Sequence, residues 1–184
     1  MPNGKDGYER EIKMEKLKKY IRDIPDFPKK GVIFKDITTL LKEGKIYKKA
    51  VNFLAKKYEN EKIDKIASME SRGFIFGGTL AYRFGCGFVP VRKKGKLPWE
   101  TINATYDLEY GTDTLEMHKD AIEPGEKVLI IDDVLATGGT AKAVAELVEK
   151  LGGKVIACAF LIELTFLHGR NKLKNYKVFA LMKY

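Results

Sequence analysis

The chain has 184 residues, 45% hydrophobic and 32% charged, enough for one domain (1–184) with a real core and no need of disulfides or a structural metal. No run approaches the ~20 apolar residues of a membrane span, and the opening MPNGKDGYEREIKMEKLKKY lacks the apolar stretch of a secretory signal, so a cytoplasmic protein without a membrane partner is expected. The net charge of +9 suits either a polyanion-binding surface or solvated lysines, and their scatter through nearly every segment favours the second, without a specific nucleic-acid partner.

Residues 1–12 read as a mobile lead-in. From Lys13 to Ile24, Met14, Leu17, Ile21 and Ile24 recur at helical spacing and predict an amphipathic helix, which Pro25 and Pro28 end. Gly31 to Leu41 opens as a short strand or loop. A second amphipathic helix is predicted from Ile46 to Tyr58, with Ile46, Ala50, Val51, Leu54 and Tyr58 inward. Strand and helix then alternate: a strand at Lys65–Met69, a helix at Phe74–Phe84, a turn at Gly85–Gly87 and a strand at Phe88–Val91. Arg92 to Glu100 is a basic, turn-rich loop. Thr101 to Lys119 alternates loosely, as the two arms of a hairpin with Tyr110 to Asp113 near its turn. Val128–Ile131 is the strongest strand, the helix Thr140–Leu151 ends at Gly152 and Gly153, and Val155–Ile162 and Tyr176–Met182 are further strands. Strands apolar on both faces and separated by helices predict an α/β fold with a mainly parallel twisted sheet flanked by helices.

Cys86 and Cys158 form no CxxC pattern, and with only His118 and His168 in the chain a Cys/His zinc site is disfavoured. Both cysteines lie in apolar contexts and are expected to be buried, reduced thiols. The chemistry concentrates instead in VLIIDDVLATGGT (Val128–Thr140). An apolar strand delivers Asp132 and Asp133 at its C-terminal end, where open α/β sheets bind ligands. Ala136-Thr137-Gly138-Gly139-Thr140 then opens a helix. Glycine lets amides approach a phosphate, the threonines add hydroxyl donors, and a helix N-terminus favours an anion. Acids beside a phosphate cradle need other work, and sugar hydroxyls or a magnesium ion would supply it. A Walker B reading fails because no GxxxxGK[ST] precedes it, and a dinucleotide reading fails because Gly85–Pro90 does not form GxGxxG. A merely structural strand, turn and capped helix would not need paired acids.

This segment resembles the signature of the type I phosphoribosyltransferases that binds 5-phosphoribosyl-1-pyrophosphate (PRPP). The resemblance implies that Asp132 and Asp133 bind the ribose hydroxyls and that Ala136, Thr137, Gly138, Gly139 and Thr140 bind the 5-phosphate. ESRGFIFG (Glu70–Gly77) is similar to the pyrophosphate loop of the adenine phosphoribosyltransferases. It implies a cis peptide at Glu70–Ser71, a place for Ser71 in the PRPP site, and Arg72 as a catalytic group facing the pyrophosphate. VRKKGKLP (Val91–Pro98) resembles the family's cationic loop, which assigns Arg92, Lys93 and Lys96 to the leaving pyrophosphate. In relatives the arginine at the Arg92 position reaches the neighbouring subunit's site, so a homodimer is implied.

YDLEYGTDTLEMHKDAI (Tyr106–Ile122) resembles the family's flexible hairpin lid. Glu109 is then the catalytic proton handler for the purine, with Tyr110 beside it. FPKKGVIFKDIT (Phe27–Thr38) matches the adenine-recognition segment within a base-binding hood (13–45): Phe34 stacks on the base while the backbone of Ile33 and Lys35 reads its edge. Mg²⁺ is implied as a cofactor bound with PRPP. No protein ligand is assigned to it beyond Asp132 as a candidate. The resemblance spans residues 13–184 and implies an enzyme that makes AMP and pyrophosphate from adenine and PRPP. A transferase for another base, or a PRPP-sensing nucleic-acid-binding regulator, are the alternatives. The first dozen residues match nothing, and Glu70 stands where Asp is common.

Overall fold

The computed structural model describes residues 15–107 and 112–184. An antiparallel ribbon comes first, β1 (Arg22–Pro25) with β2 (Ile33–Asp36), followed by the helices α1 (Thr38–Leu41) and α2 (Gly44–Lys57). Then come β3 (Lys65–Met69), α3 (Gly73–Phe84), β4 (Gly87–Lys93) and a hairpin of β5 (Thr101–Asp107) and β6 (Thr112–His118). The chain finishes with β7 (Lys127–Leu135), α4 (Gly139–Lys150), β8 (Lys154–Glu163) and β9 (Val178–Lys183). Seven strands form one sheet in the order β5-β6-β4-β3-β7-β8-β9. β4, β3, β7, β8 and β9 are parallel, and the hairpin adds to the β4 edge in antiparallel fashion. The α/β fold with a mainly parallel sheet is as the sequence predicts.

Alternation along the strands explains why both faces carry a core. Ala67, Met69, Val128, Ile130, Cys158 and Phe160 pack on one side against Ala141, Val144 and Val148 of α4. Their neighbours Ile66, Leu129, Ile131, Ala157, Ala159 and Leu161 pack on the other against α2 and α3, where Leu54, Phe76 and Leu80 are buried. A sheet covered on both faces needs apolar residues at consecutive positions, which is the unbroken run that the sequence shows. Each fully buried aliphatic side chain contributes about 1.5–3 kcal/mol. No helix among the described residues is long and apolar enough to cross a membrane.

One feature of the topology places the site. β3 pairs with β7 from Lys65↔Val128 only as far as Ser68↔Ile131. β7 stays with β8 to Leu135↔Glu163. Past Ile131 the strand therefore loses its neighbour on the β3 side, and a crevice opens where connections depart in opposite directions. Open α/β sheets bind ligands at such switch points.

Two expectations are corrected. The helix predicted over Lys13–Ile24 does not continue to its predicted end: a 3-10 turn at Lys18–Tyr20 gives way to extended backbone, and Arg22 to Pro25 pair with β2. Pairing with β2 and the Arg22–Asp36 ion pair override the helical spacing of Ile21 and Ile24. Ile46 is partly buried and packs against the core, as expected. Cys158 is buried, whereas Cys86 is only half-buried at the turn after α3.

Asp36 holds the junction between the ribbon and α1. It accepts hydrogen bonds from Arg22 Nε and Nη2 at 3.0 and 2.6 Å, and from the Thr38 N–H and hydroxyl at 2.9 Å each. The Thr38 N–H first, and Arg22 with it, lower its pKa to about 2 against the opposing effect of burial. A depressed carboxylate adds stability above its ordinary pKa and loses it as pH falls through the folded value. Asp36→Asn is expected to cost about 2 kcal/mol at neutral pH. The gap in Tm between variant and wild type should close between pH 4 and pH 2 in thermal melts; a gap independent of pH would contradict this role for the carboxylate.

Candidate active site

A cavity of about 570 Å³ occupies the crevice. Val32 to Lys35 of β2 form one wall and Glu70 to Arg72 another, with Lys93, Tyr106 and Leu115 at the side and Asp132 to Val134, Ala136 and Thr140 at the base. The four segments quoted for the PRPP loop, the pyrophosphate loop, the lid and the adenine wall thus meet in one space.

Asp132 and Asp133 face it because β3 no longer covers β7 there. The Asp133 N–H donates to Asp132 Oδ1 at 2.8 Å. Arg72 Nε stands 2.7 Å from Asp133 Oδ2, yet its N–H is not aimed at that oxygen, which is buried and has a charge partner but no hydrogen bond. Burial pushes the Asp132 carboxyl well above the usual carboxylate range, and the charge of Asp133 adds to the effect. Asp133 is raised as well, because its burial outweighs the attraction of Arg72. Such a pair costs the fold stability, and strongly perturbed acids in a cleft mark a site of function.

Arg72 stands at the head of α3. Its guanidinium carbon lies 4.8 Å from the centre of the Phe34 ring, so one side chain touches both the aromatic wall and the acid pair. α3 starts this close to β7 because residue 73 is glycine: a Cβ there would fall 2.8 Å from Asp132 Oδ1. The Glu70–Ser71 peptide is cis, as the resemblance implied.

β7 runs two residues past the acids, to Leu135, before the chain turns through Ala136 to Gly138 into α4. Gly138 has a φ of +80° and α4 carries no side-chain cap, so the amides of its first turn are left for an anion. A hollow of about 50 Å³ lies over this turn, bordered by Asp132, Ala136 to Gly138 and Thr140. A compact anion such as phosphate suits those donors.

The cationic segment divides. Lys93 lines the cavity and its ammonium meets Asp113 at 2.8 Å, whose hydrogen bond and charge raise the lysine pKa. Arg92 turns away: Nε donates to Glu70 at 2.8 Å and Nη1 to the Lys96 carbonyl at 2.8 Å. Glu70 also accepts the Lys93 N–H at 2.9 Å. Burial acts to raise the Glu70 pKa, but the Lys93 N–H and Arg92 more than offset it, and the group lies below its ordinary value.

Comparison with known proteins decides the family. The phosphoribosyl transferase domain matches residues 36–181. The adenine phosphoribosyltransferase of Geobacter metallireducens is 61% identical over 171 residues, 93% of this chain and 100% of the relative. Among solved structures, the adenine phosphoribosyltransferase of Thermoanaerobacter pseudethanolicus superposes with a TM-score of 0.91 at 58% identity, covering 93% of this chain and 99% of that one. That of Saccharomyces cerevisiae, complexed with D-2,5-dideoxy-2,5-imino-altritol 1,6-bisphosphate and adenine, gives 0.86 at 45%, covering 91% and 97%. The chain belongs to the adenine phosphoribosyltransferases.

Within this adenine phosphoribosyltransferase fold, Ile33, Phe34, Lys35, Ser71, Arg72, Lys93, Asp132, Asp133, Ala136 and Thr140 line the main cavity, with Thr137 and Gly138 at the hollow beside it. Gly139, the first residue of α4, is buried directly beneath. Arg92 and Lys96 do not line the main cavity, since Glu70 and the turn hold the arginine back. Glu109 and Tyr110 lie outside the described residues. Sequence reasoning gave no role to Tyr106 or Leu164, which also border the space. The signal for Tyr106 was its place in the quoted lid segment; Leu164 carried none.

If burial and mutual repulsion set the acid pair, removing one charge should stabilise the fold. Asp132→Asn keeps the acceptor for the Asp133 N–H and is expected to add about 1 kcal/mol at pH 8, seen as a higher Tm. A raised acid costs stability above its folded pKa and regains it below, so the gain should shrink towards pH 5. An unchanged or lower Tm at pH 8 would contradict this reading of the pair.

Proposed function

We propose that the cavity binds Mg²⁺–PRPP and then adenine, with the ribose hydroxyls on Asp132 and Asp133 and the 5-phosphate on the turn from Ala136 to Thr140. The chain transfers the phosphoribosyl group to adenine, yielding AMP and pyrophosphate. The observation that carries this reading is the convergence, in one crevice, of two under-solvated carboxylates and an uncapped, glycine-bearing helix start. Asp133 Oδ2 has no hydrogen-bond donor, and the start of α4 has no side-chain cap. A phosphorylated sugar offers a donor to the one and an acceptor to the other.

The order of binding follows from Arg72. Its guanidinium lies over the Phe34 ring and forms an ion pair with Asp133. Pyrophosphate carries more negative charge than a carboxylate, so its arrival draws Arg72 towards Ser71 and Lys93. That shift frees Asp133 for a ribose hydroxyl and opens the Phe34 face to the purine. Adenine stacks there, with the backbone of Ile33 and Lys35 reading its amino edge. Bond formation from N9 to the anomeric carbon breaks the bond to pyrophosphate, and the charge that develops on the leaving group meets Arg72 and Lys93. Glu109 on the lid takes the proton that adenine gives up, and the closed lid keeps water from the electron-poor sugar.

Among the described residues no third acid, His or Cys joins the two adjacent acids, which fits an ion that draws most of its oxygens from the substrate and from water, so Mg²⁺ belongs with PRPP and Asp132 is the candidate contact. Its chemistry when bound is to neutralise the departing pyrophosphate. A homodimer is part of the proposal. Ile75, Tyr82 and Phe88 are exposed on the outer side of α3 and β4, and Phe88, Pro90 and Arg92 share one face of β4. A second copy packed there would bring Arg92 to the subunit boundary. Sedimentation velocity should give the mass of two chains; a stable single chain would remove this element.

The decisive assay is incubation with Mg²⁺, PRPP and a mixture of adenine, hypoxanthine, guanine, xanthine and orotate, with identification of the nucleotide formed. AMP alone is expected, and another nucleotide or none would overturn the assignment. In the same assay Glu109→Ala should lower kcat by about 10²–10⁴-fold with little change in PRPP affinity. Undiminished turnover would remove Glu109 from proton handling.

A further inference from the structure

The segment after β8 borders the main cavity only through Leu164, yet it lies directly behind the phosphate turn. The chain leaves β8 through a 3-10 turn at Thr165–Leu167, passes His168 with a φ of +52°, and enters a second 3-10 turn at Gly169–Leu173. Gly169 and Gly138 meet backbone to backbone. A Cβ on Gly169 would stand 2.2 Å from the Ala136 carbonyl oxygen and 3.1 Å from the Gly138 nitrogen; one on Gly138 would stand 2.3 Å from the Gly169 carbonyl oxygen. The phosphate turn therefore rests on residue 169 with no side chain between them.

Something must hold Gly169 in place. Arg170, its neighbour, forms a two-pronged pair with Glu163 at the end of β8: Nε donates to Oε1 at 2.6 Å and Nη2 to Oε2 at 2.7 Å. Its third arm, Nη1, donates to the Val178 carbonyl at 2.9 Å. Glu163 is 4% exposed, a buried acid that the reaction scheme does not use, on the residue paired with Leu135 at the base of the phosphate turn. Neither Glu163 nor Arg170 borders the main cavity. The far end of the segment is pinned by buried Leu173 and by the Tyr176 hydroxyl on Glu149 of α4 at 3.0 Å.

We propose that Glu163 and Arg170 are positioning residues for the 5-phosphate: their fork fixes Gly169, and Gly169 sets the amides of the Ala136–Gly138 turn. Fork-shaped guanidinium–carboxylate pairs fix geometry as well as charge, which a lysine cannot reproduce. The inference rests on the reading of that turn as the phosphate site, and it makes a prediction that general damage does not. PRPP and AMP carry the 5-phosphate; adenine and pyrophosphate do not.

The test is calorimetric titration of wild type, Glu163→Gln, Arg170→Lys and Gly169→Ala with ribose 5-phosphate and, separately, pyrophosphate, after circular dichroism has confirmed folding. Arg170→Lys is the variant least prone to misfold, because the arginine side chain is 41% exposed and the charge is kept. The expected result is a loss of about tenfold or more in ribose 5-phosphate affinity with pyrophosphate affinity within about twofold. Steady-state kinetics should show KM rising for PRPP and AMP, KM for adenine and pyrophosphate unmoved, and kcat little altered. Unchanged ribose 5-phosphate affinity in the variants would overturn the inference, as would equal weakening of both ligands. Failure of the wild type to bind ribose 5-phosphate would instead sink the phosphate-site reading, and the inference with it.

Discussion

Two neighbouring carboxylates held in a crevice, beside the Arg72 guanidinium, are the constraint from which the chemistry of this chain follows. Successive acids on a strand are tolerable at a wet sheet edge. Asp132 and Asp133 sit instead where β7 has just lost β3, between two packed layers, and burial raises both pKa values. Replacing such a pair with neutral groups generally stabilises a protein. Under the proposed function, a bound sugar adds hydroxyl donors to the pair.

The other site residues are arranged around this pair. Arg72 ties the acids to Phe34, so one cation links the carboxylates and the aromatic wall of the crevice. Glu70 organises the cationic strand from the same loop, taking Arg92 and the Lys93 N–H and leaving the Lys93 ammonium at the cavity. Gly73 lets the start of α3 approach β7, Gly138 lets the turn before α4 meet Gly169, and the Glu163–Arg170 fork lies next to Gly169. Residues far apart in sequence thus converge on one crevice.

The strands and the phosphate turn were legible because their signals are local. Val128–Ile131 is apolar at every position, as a strand covered on both faces must be, and the ATGGT run has little use other than a tight turn into a helix. The ends were less legible. β7 continues through Asp132 and Asp133 to Leu135, since pairing with β8 persists after pairing with β3 has stopped, and no residue in the strand marks that difference. The helical spacing of Leu17, Ile21 and Ile24 misled because long-range pairing of Arg22 with Asp36 decides the conformation there. The pairing of Arg92 with Glu70, 22 residues earlier, left no mark in the sequence, where the resemblance implied a role at the leaving pyrophosphate and a reach towards the neighbouring subunit's site. The support behind Gly138 was invisible, because a contact between two glycines leaves no side-chain pattern to read.

Proton occupancy of the acid pair is the most direct test of all this. NMR titration of the Asp132 and Asp133 carboxyl carbons, assigned with the single Asn variants, should show in the free protein a carboxyl titrating well above the ordinary aspartate range. Saturation with AMP should move that titration downward, as ribose hydroxyls donate to the ionised form. Carboxyls that titrate normally in the free protein, or that ignore AMP, would show that the crevice does not hold the sugar by its acids.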